Sequence, residues 1–288
     1  MPKTAYVSVH GGHSGEFCNH ATDTLEQVVR AYIDKGFRWV GITEHAPGIS
    51  DDLLYNDQQA AGLSPEFLFD RFGDYMNECR RLKLKYQDQI TLYAAMEIET
   101  YSGYQSFVPY LVDSFQPEYL VGSVHFVNDV NFDYSPEMYQ RAAASVGGIE
   151  RLYEHYFDAQ FEMIALLNPA VIGHFDLIRI FDPHYKKRLE KPAIWQKITR
   201  NLELVKRREL ILDFNLRAFY KGATEPYISR SILRRAKELE IAVVPGDDSH
   251  SVASVGNYID RGIDILQKMQ FDLRWSQPAL RAAHQGQS

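Results

Sequence analysis

The sequence predicts an α/β protein built as a closed or nearly closed barrel of seven parallel strands. Three observations predict it. Strand-like and helix-like segments alternate along almost the whole chain, with strands expected near residues 6, 38, 91, 119, 171, 211 and 241; such alternation implies a parallel sheet joined by helical crossovers. Nearly every expected strand ends in His, Asp, Glu or Asn, and the carboxyl ends of strands are where barrel enzymes carry their sites. No linker-like stretch or internal repeat divides the 288 residues, so one domain over 1–288 is expected, long enough to bury a substantial core. The competing architecture, an open doubly wound sheet, would gather ligands at one switch point instead of spreading them over all strands.

The first strand, Tyr6-Val7-Ser8-Val9, delivers His10; Gly11-Gly12 allow a tight turn before His13, and His20 follows. Thr22 or Asp23 is placed to cap a helix over residues 24–35, whose Leu25, Val28, Val29, Tyr32 and Ile33 recur at helical spacing, with Gly36 ending it. A strand over residues 37–43 closes in Glu44-His45. Residues 46–63 read as a long loop, either a lid or binding loop beside a strand end or plain surface irregularity. Helix is expected over 65–86, strand over 90–96 ending in Glu97, helix over 104–114, and strand over 118–124 ending in His125. Residues 126–136 are polar and turn-rich; helix then runs over about 137–167 with a break at Gly147-Gly148. Val171-Ile172-Gly173 is a short strand delivering His174, and residues 189–208 are helical. The strand over 210–214 ends near Asn215, a helix covers 228–239, and the strand over 241–244 leads through Pro245-Gly246 into Asp247-Asp248-Ser249-His250. A last helix is expected over 253–267, and a small, polar, flexible tail over 279–288.

Composition narrows the function. A formal charge of −7 argues against a general nucleic-acid surface, and no basic, aromatic-interleaved tract suits a strand. Two cysteines without CxxC spacing make no disulfide framework, so a reducing compartment, the cytoplasm, is expected. No basic segment followed by an apolar run marks a secretory signal, and no apolar stretch approaches the length of a membrane span. The oligomeric state stays open.

Seven of the ten histidines, His10, His13, His20, His45, His125, His174 and His250, fall at or just after expected strand ends; His155, His184 and His284 do not. One such histidine would be an ordinary core or surface residue, but seven at one end of an alternating fold point to a shared site. Glu44, Glu97, Glu99, Asp176, Asp247 and Asp248 occupy the same positions, and imidazole mixed with carboxylate suits several transition-metal ions with a bridging carboxylate. No thiolate cluster is present, which excludes a structural Cys-type zinc site. Zinc, iron and manganese are all compatible with such donors.

The segments HGGHSGEFCNH, ITEH, AMEIE, GSVHF, IGHFD and GDDSH stand in the order and spacing of the polymerase-and-histidinol-phosphatase (PHP) family, and GSVHF, GHFDLIR and Asn215 resemble its histidinol-phosphatase branch. The similarity spans roughly residues 5–257. It implies a distorted (β/α)7 TIM-like barrel with two or three divalent transition-metal ions. By motif position the first metal would take His10, His13, Glu97 and Asp248; the second would share Glu97 and add His125 and His174; the third would take His20, His45 and His250. Two motifs depart from the family pattern. His10-Gly-Gly-His13 replaces the usual His-any-His, leaving open whether His10 ligates or only His13 keeps its role, and Asp247-Asp248-Ser249-His250 replaces Ser-Asp-Ala-His.

The resemblance implies a metal-dependent phosphomonoesterase acting on a small-molecule ester, with L-histidinol phosphate as the expected substrate. Another small phosphorylated metabolite, a diester, or a non-catalytic metal-binding role are the alternatives. A phosphate dianion needs positive charge besides the metals, and Arg179 and Arg217 lie on the expected active face, though either also suits a surface ion pair. Lys186-Lys187-Arg188 reads as a solvated basic run. Direct attack of metal-activated water is expected, because Ser14 and Ser123 lack a nucleophile-elbow context. Cys18 is the rival nucleophile, with packing beneath the metal loop as its plainer role. Asp247, Asp248 and His250 are the candidates for the leaving-group proton, and with Asp248 and His250 expected on metals Asp247 is favoured.

Overall fold

Strand direction and hydrogen bonding were traced in a computed structural model, which describes residues 4–282. Strands β1 (Tyr6–Ser8), β2 (Phe37–Ile42) and β3 (Thr91–Ala94) pair in parallel in that order. A second parallel sheet runs β4 (Met96–Ile98), β5 (Leu120–Gly122), β8 (Val171–Ile172), β9 (Ile211–Asn215) and β10 (Val243–Gly246). A short antiparallel hairpin, β6 (Phe126–Val127) and β7 (Val130–Asn131), stands apart. The expected third strand is thus two: after Ala95, whose N–H still bonds Ile42 C=O at 2.9 Å, the chain bends and Met96 bonds Tyr119 C=O at 3.2 Å. At the other seam Val9 N–H reaches Pro245 C=O at 2.9 Å, joining β1 to β10. With β3 and β4 counted as one bent strand, seven strands close a distorted barrel.

Helices wrap the outside: α1 (Leu25–Asp34), α2 (Asn56–Ala60), α3 (Pro65–Lys85), α4 (Tyr104–Phe115), α5 (Pro136–Ser145), α6 (Ile149–Leu167), α7 (Tyr185–Leu189), α8 (Pro192–Arg207), α9 (Arg217–Tyr220), α10 (Arg230–Glu238) and α11 (Ile259–Lys268). Their apolar stripes and the outward strand faces form the larger core, while Val7, Val9, Trp39, Tyr93, Tyr119, Val121, Val171, Ile211 and Val244 fill the barrel. None of the described helices is long and apolar enough to cross a membrane.

Local chemistry moved several boundaries. Thr24, not Thr22 or Asp23, caps α1, because its hydroxyl and the Gln27 side chain satisfy each other's backbone N–H groups in a capping box. The last helix begins at Ile259, after a 3₁₀ turn over Val252–Ser254, since Gly256 and Tyr258 take left-handed conformations that interrupt any earlier start. Pro192 opens α8 and separates it from α7. Residues 46–63 are no irregular loop: they hold a 3₁₀ turn and α2, and they bury Leu54, Tyr55 and Gln58. Within residues 126–136 the Asn128-Asp129 pair, both at positive φ, makes the tight turn of the β6–β7 hairpin. Of the tail, residues 279–282 have no regular structure, though Arg281 N–H bonds Glu118 C=O at 2.8 Å; residues 283–288, His284 among them, lie outside the described residues.

The glycines after His10 are required by proximity. A Cβ on Gly11 would sit 2.2 Å from the Gly41 carbonyl oxygen, and one on Gly41 would meet the Tyr119 hydroxyl at 1.5 Å. That hydroxyl donates to Val9 C=O at 2.7 Å, so β1, β2 and β5 are cinched together beneath the loop that carries His10 and His13.

Candidate active site

Glu97 lies at the centre of the carboxyl-end face, on β4 just past the bend. Its two oxygens face different histidines. Oε1 lies 2.9 Å from His174 Nε2 and 3.7 Å from His125 Nε2, while Oε2 lies 3.2 Å from His10 Nε2, 3.1 Å from His45 Nδ1 and 3.9 Å from His13 Nε2. Ser123 Oγ donates to Oε1 at 2.6 Å, which holds the carboxylate in plane and occupies the serine.

Three of these rings are backed by a second carboxylate. His10 Nδ1 meets Asp213 Oδ2 at 2.9 Å, His13 Nδ1 meets Glu44 Oε2 at 3.3 Å, and His125 Nδ1 meets Glu99 Oε2 at 2.8 Å. Each pairing fixes the ring and aims the other nitrogen at the centre, the arrangement that orients metal-ligating histidines. Nε2 of His10 and of His13 are buried without a hydrogen bond among the described residues. The donors also gather tightly: His10–His13–Glu97, His10–His174–Asp248 and Glu97–His125–His174 each bring their ligand atoms within 4.8 Å of one another. The residues therefore fit divalent ions, and both His10 and His13 reach the cluster despite the extra glycine between them.

The electrostatics point the same way. Burial alone would lower the imidazole pKa of His10 and of His45, yet Glu97 and its fellow carboxylates raise both well above the ordinary value. Burial and the His45 charge likewise oppose protonation of His13, but the nearby Asp248, Cys18 and Glu44 side chains lift it to about 10. Burial and then His10 act in opposite senses on Glu97, whose pKa falls well below the carboxylate range. Protons on the imidazoles stand where cations would. Metal must displace them, so affinity falls as pH drops. Chelation is expected to lower the Tm and restoring ions to raise it, each site adding about 2.7 kcal/mol of stability at a hundredfold excess over Kd; scanning calorimetry at two pH values would check both the effect and its sign.

The third expected metal set is only partly assembled. His45 and His250 group with His13 and Cys18. His20 stands beside them, its ring 4.9 Å from His250 and 5.4 Å from His45, but its side chain is 40% exposed and Nδ1 is held 3.1 Å from Asp57 Oδ2. Cys18 is buried beside these rings and is not among the residues lining the main cleft, a position that accords with packing beneath the loop and not with a nucleophile facing substrate.

Beside the cluster opens a cleft of about 270 Å³, lined by His20, His45, Glu97, His125, His174, Asp248 and His250, and by Tyr55, Asp57, Asn131, Asp133, Tyr134, Leu177, Arg217, Lys221 and Tyr227. Arg217, at the start of α9, extends along it with Nη1 bonded to Asp248 C=O at 2.9 Å. Arg179, expected at the phosphate, is elsewhere: its guanidinium is buried between the Tyr185 and Tyr227 rings, each 4.8 Å away, and bonded to Glu225 C=O at 3.0 Å and to Pro226 C=O, with Asp176 3.3 Å distant. Asp247, favoured as proton donor, is also turned away. Its carboxylate accepts from Ser8 at 2.5 Å, Tyr32 at 2.9 Å and Gly256 N–H at 2.7 Å, which ties β10 to β1 and α1 beneath the site. Asp248 and His250 do line the cleft. His155 and His184 are exposed on or beside helices and remote from it.

Sequence reasoning missed Asp213, Tyr55, Asp57, Asn131, Asp133, Tyr134, Lys221 and Tyr227. Asp213 had a usable signal: on a strand it shares a face with Asn215 two residues on, and both converge on the site, Asn215 Nδ2 donating to Asp213 at 3.0 Å and to Asp248 at 3.2 Å.

Residues 11–217 match the PHP domain. The chain is similar to a Schizosaccharomyces pombe protein named "Probable histidinol-phosphatase", at 38% identity over 88% of this chain and 83% of that one. Among solved structures it resembles a Listeria monocytogenes protein provisionally called a histidinol phosphatase, with TM-score 0.78, 26% identity, and coverage of 88% of this chain and 99% of the other. It shares its fold with a Lactococcus lactis histidinol phosphate phosphatase solved with zinc, L-histidinol and phosphate, at TM-score 0.71 and 19% identity over 93% of this chain and 94% of that one.

Proposed function

The chain belongs to the PHP family, and on that premise we propose that it is a metal-dependent phosphomonoesterase hydrolysing L-histidinol phosphate to L-histidinol and phosphate. The observation that carries the reaction class is Glu97, whose oxygens divide the histidines into two facing sets. The substrate rests on the kinship with histidinol-phosphatases and on a cleft of about 270 Å³, the size for a small ester and not for a nucleic-acid strand.

Divalent zinc, manganese or iron held here supplies Lewis acidity and an activated water. The ligands would be His10, His13, Glu97 and Asp248; Glu97, His125 and His174; and His45 and His250 with His20. Asp213, Glu44 and Glu99 keep the rings turned inward. Arg217, aided by Lys221, offsets the phosphate charge, while Arg179 serves the scaffold. Direct hydrolysis without a phosphoenzyme is favoured, since Ser123 and Ser14 are committed to Glu97 and Glu44. Two buried, unpaired cysteines favour the cytoplasm, and we read the chain as one hydrolase unit.

Phosphate release from L-histidinol phosphate, beside a diester and with each metal added in turn, tests the reading. The monoester should be much the better substrate; preference for the diester would replace it with a phosphodiesterase. In a single turnover in 18O-labelled water, one label should appear in phosphate, and a trapped phosphorylated side chain would overturn direct hydrolysis.

A further inference from the structure

The cleft has two electrical ends. One is the metal-facing cluster with Arg217 and Lys221, which suits an anion. The other is the β6–β7 hairpin, whose exit strand runs through Asn131 into Asp133. Asn131 Nδ2 donates to Asp133 Oδ1 at 2.7 Å and to His125 C=O at 3.2 Å, so one amide fixes the carboxylate relative to a candidate metal ligand. Asp133 is half-buried, and among the described residues no ion pair engages it. Of the other three acids lining the cleft, Asp57 is held by His20, while Glu97 and Asp248 lie within the histidine cluster. Asp133 shares the cleft with Tyr55 from the α2 segment, His125 after β5, and Lys221 and Tyr227 beyond α9, and its charge acts on all four. The tyrosines Tyr55 and Tyr227, together with the exposed Tyr134, place aromatic surface around it.

A carboxylate without an ion pair among the described residues, positioned by a buried amide and with tyrosines beside it, suits an organic cation. We propose that Asp133 is the specificity-determining residue of this cleft and binds the ammonium group of an aminoalkyl phosphate whose phosphoryl end lies at the metal cluster and Arg217. The proposal rests on the phosphomonoesterase reading and adds the chemistry of the rest of the substrate. L-histidinol phosphate carries such an amine two carbons from its ester oxygen. A phosphate ester without a cationic nitrogen would leave Asp133 unpaired and desolvated when it filled the cleft, so Asp133 both attracts the one and disfavours the other.

The test compares matched pairs that differ only in the amine: L-histidinol phosphate against its deamino analogue, and phosphoethanolamine against ethyl phosphate. Wild-type enzyme and the Asp133→Asn and Asp133→Ser variants are assayed with metal content measured alongside. The ratio of kcat/KM, amine over deamino, is expected to fall about 10–100-fold in both variants, the range of a hydrogen bond to a charged group. Asp133→Glu should recover part of it. Equal ratios in wild type and variants would overturn the proposal, as would a parallel loss on both members of each pair. If L-histidinol phosphate is no substrate while the second pair is still discriminated through Asp133, the substrate assignment fails and this inference stands.

Discussion

Replacing Glu97 with alanine should cost about 10³-fold or more in kcat/KM, the consequence of losing several kcal/mol of metal-derived stabilisation, and should release metal. The size of the effect follows from where the carboxylate stands. Oε1 and Oε2 face His174 and His10 at 2.9 and 3.2 Å, so one carboxylate spans both sets. Without it, His10, His45, His125 and His174 would face one another with one fewer anion among them, and the ions would lose their shared ligand. Glu97→Gln keeps the shape and removes the charge; if metal content falls as far in this variant as in Glu97→Ala, the charge is what holds the ions. Elemental analysis of both proteins, purified without added metal, beside steady-state rates supplies the answer. Full metal and full rate in Glu97→Ala would end the bridging assignment.

The two arginines should separate cleanly. Arg217→Met is expected to raise KM for phosphate esters by about 10–100-fold, the range of a charge-assisted hydrogen bond, with metal content retained. Arg179→Met should instead act on stability. It strips a buried guanidinium from Asp176, two carbonyls and two tyrosine faces, a loss of about 3–5 kcal/mol when one member of a buried pair is removed. Burial raises the pKa of Asp176 even against the Arg179 charge, so protonation of the abandoned carboxyl will absorb part of that cost. Denaturant unfolding at neutral and mildly acidic pH measures it. The folded-state pKa of Asp176 lies above its unfolded value, so the variant's deficit should shrink as pH falls toward that value and widen as pH rises through it. A KM change at Arg179 as large as at Arg217 would place Arg179 back at the substrate.

Much of this was legible in the chain. Alternation of period-2 and helical segments implied the parallel barrel, and the polar residues closing each strand implied which face is the site. His10, His13, His45, Glu97, His125, His174, Asp248 and His250 all converge there. These are local properties: a side chain at the carboxyl end of an inward-facing strand position is directed by backbone geometry alone. The bend at Ala95 carries no comparable mark, because strand pairing partners and not residue type make it.

What only the tertiary structure decided is which of several chemically equivalent groups ends up near which. Arg179 and Arg217 both follow strand ends, but the 3₁₀ turn over Leu177–Arg179 folds the first between Tyr185 and Tyr227 while α9 extends the second along the cleft. Asp247 and Asp248 are adjacent, yet successive residues leaving a strand point opposite ways, and closure of β10 on β1 delivers Asp247 to Ser8 and Tyr32, while Asp248 faces the histidine cluster. Asp213 and His10 are hydrogen-bonded partners separated by 203 positions, and Asp133 and Arg217, which line one cleft, stand 84 positions apart. Residue type and strand position determine that a carboxylate can serve; packing of distant segments, which no local pattern records, determines which ring, ion or ligand it serves.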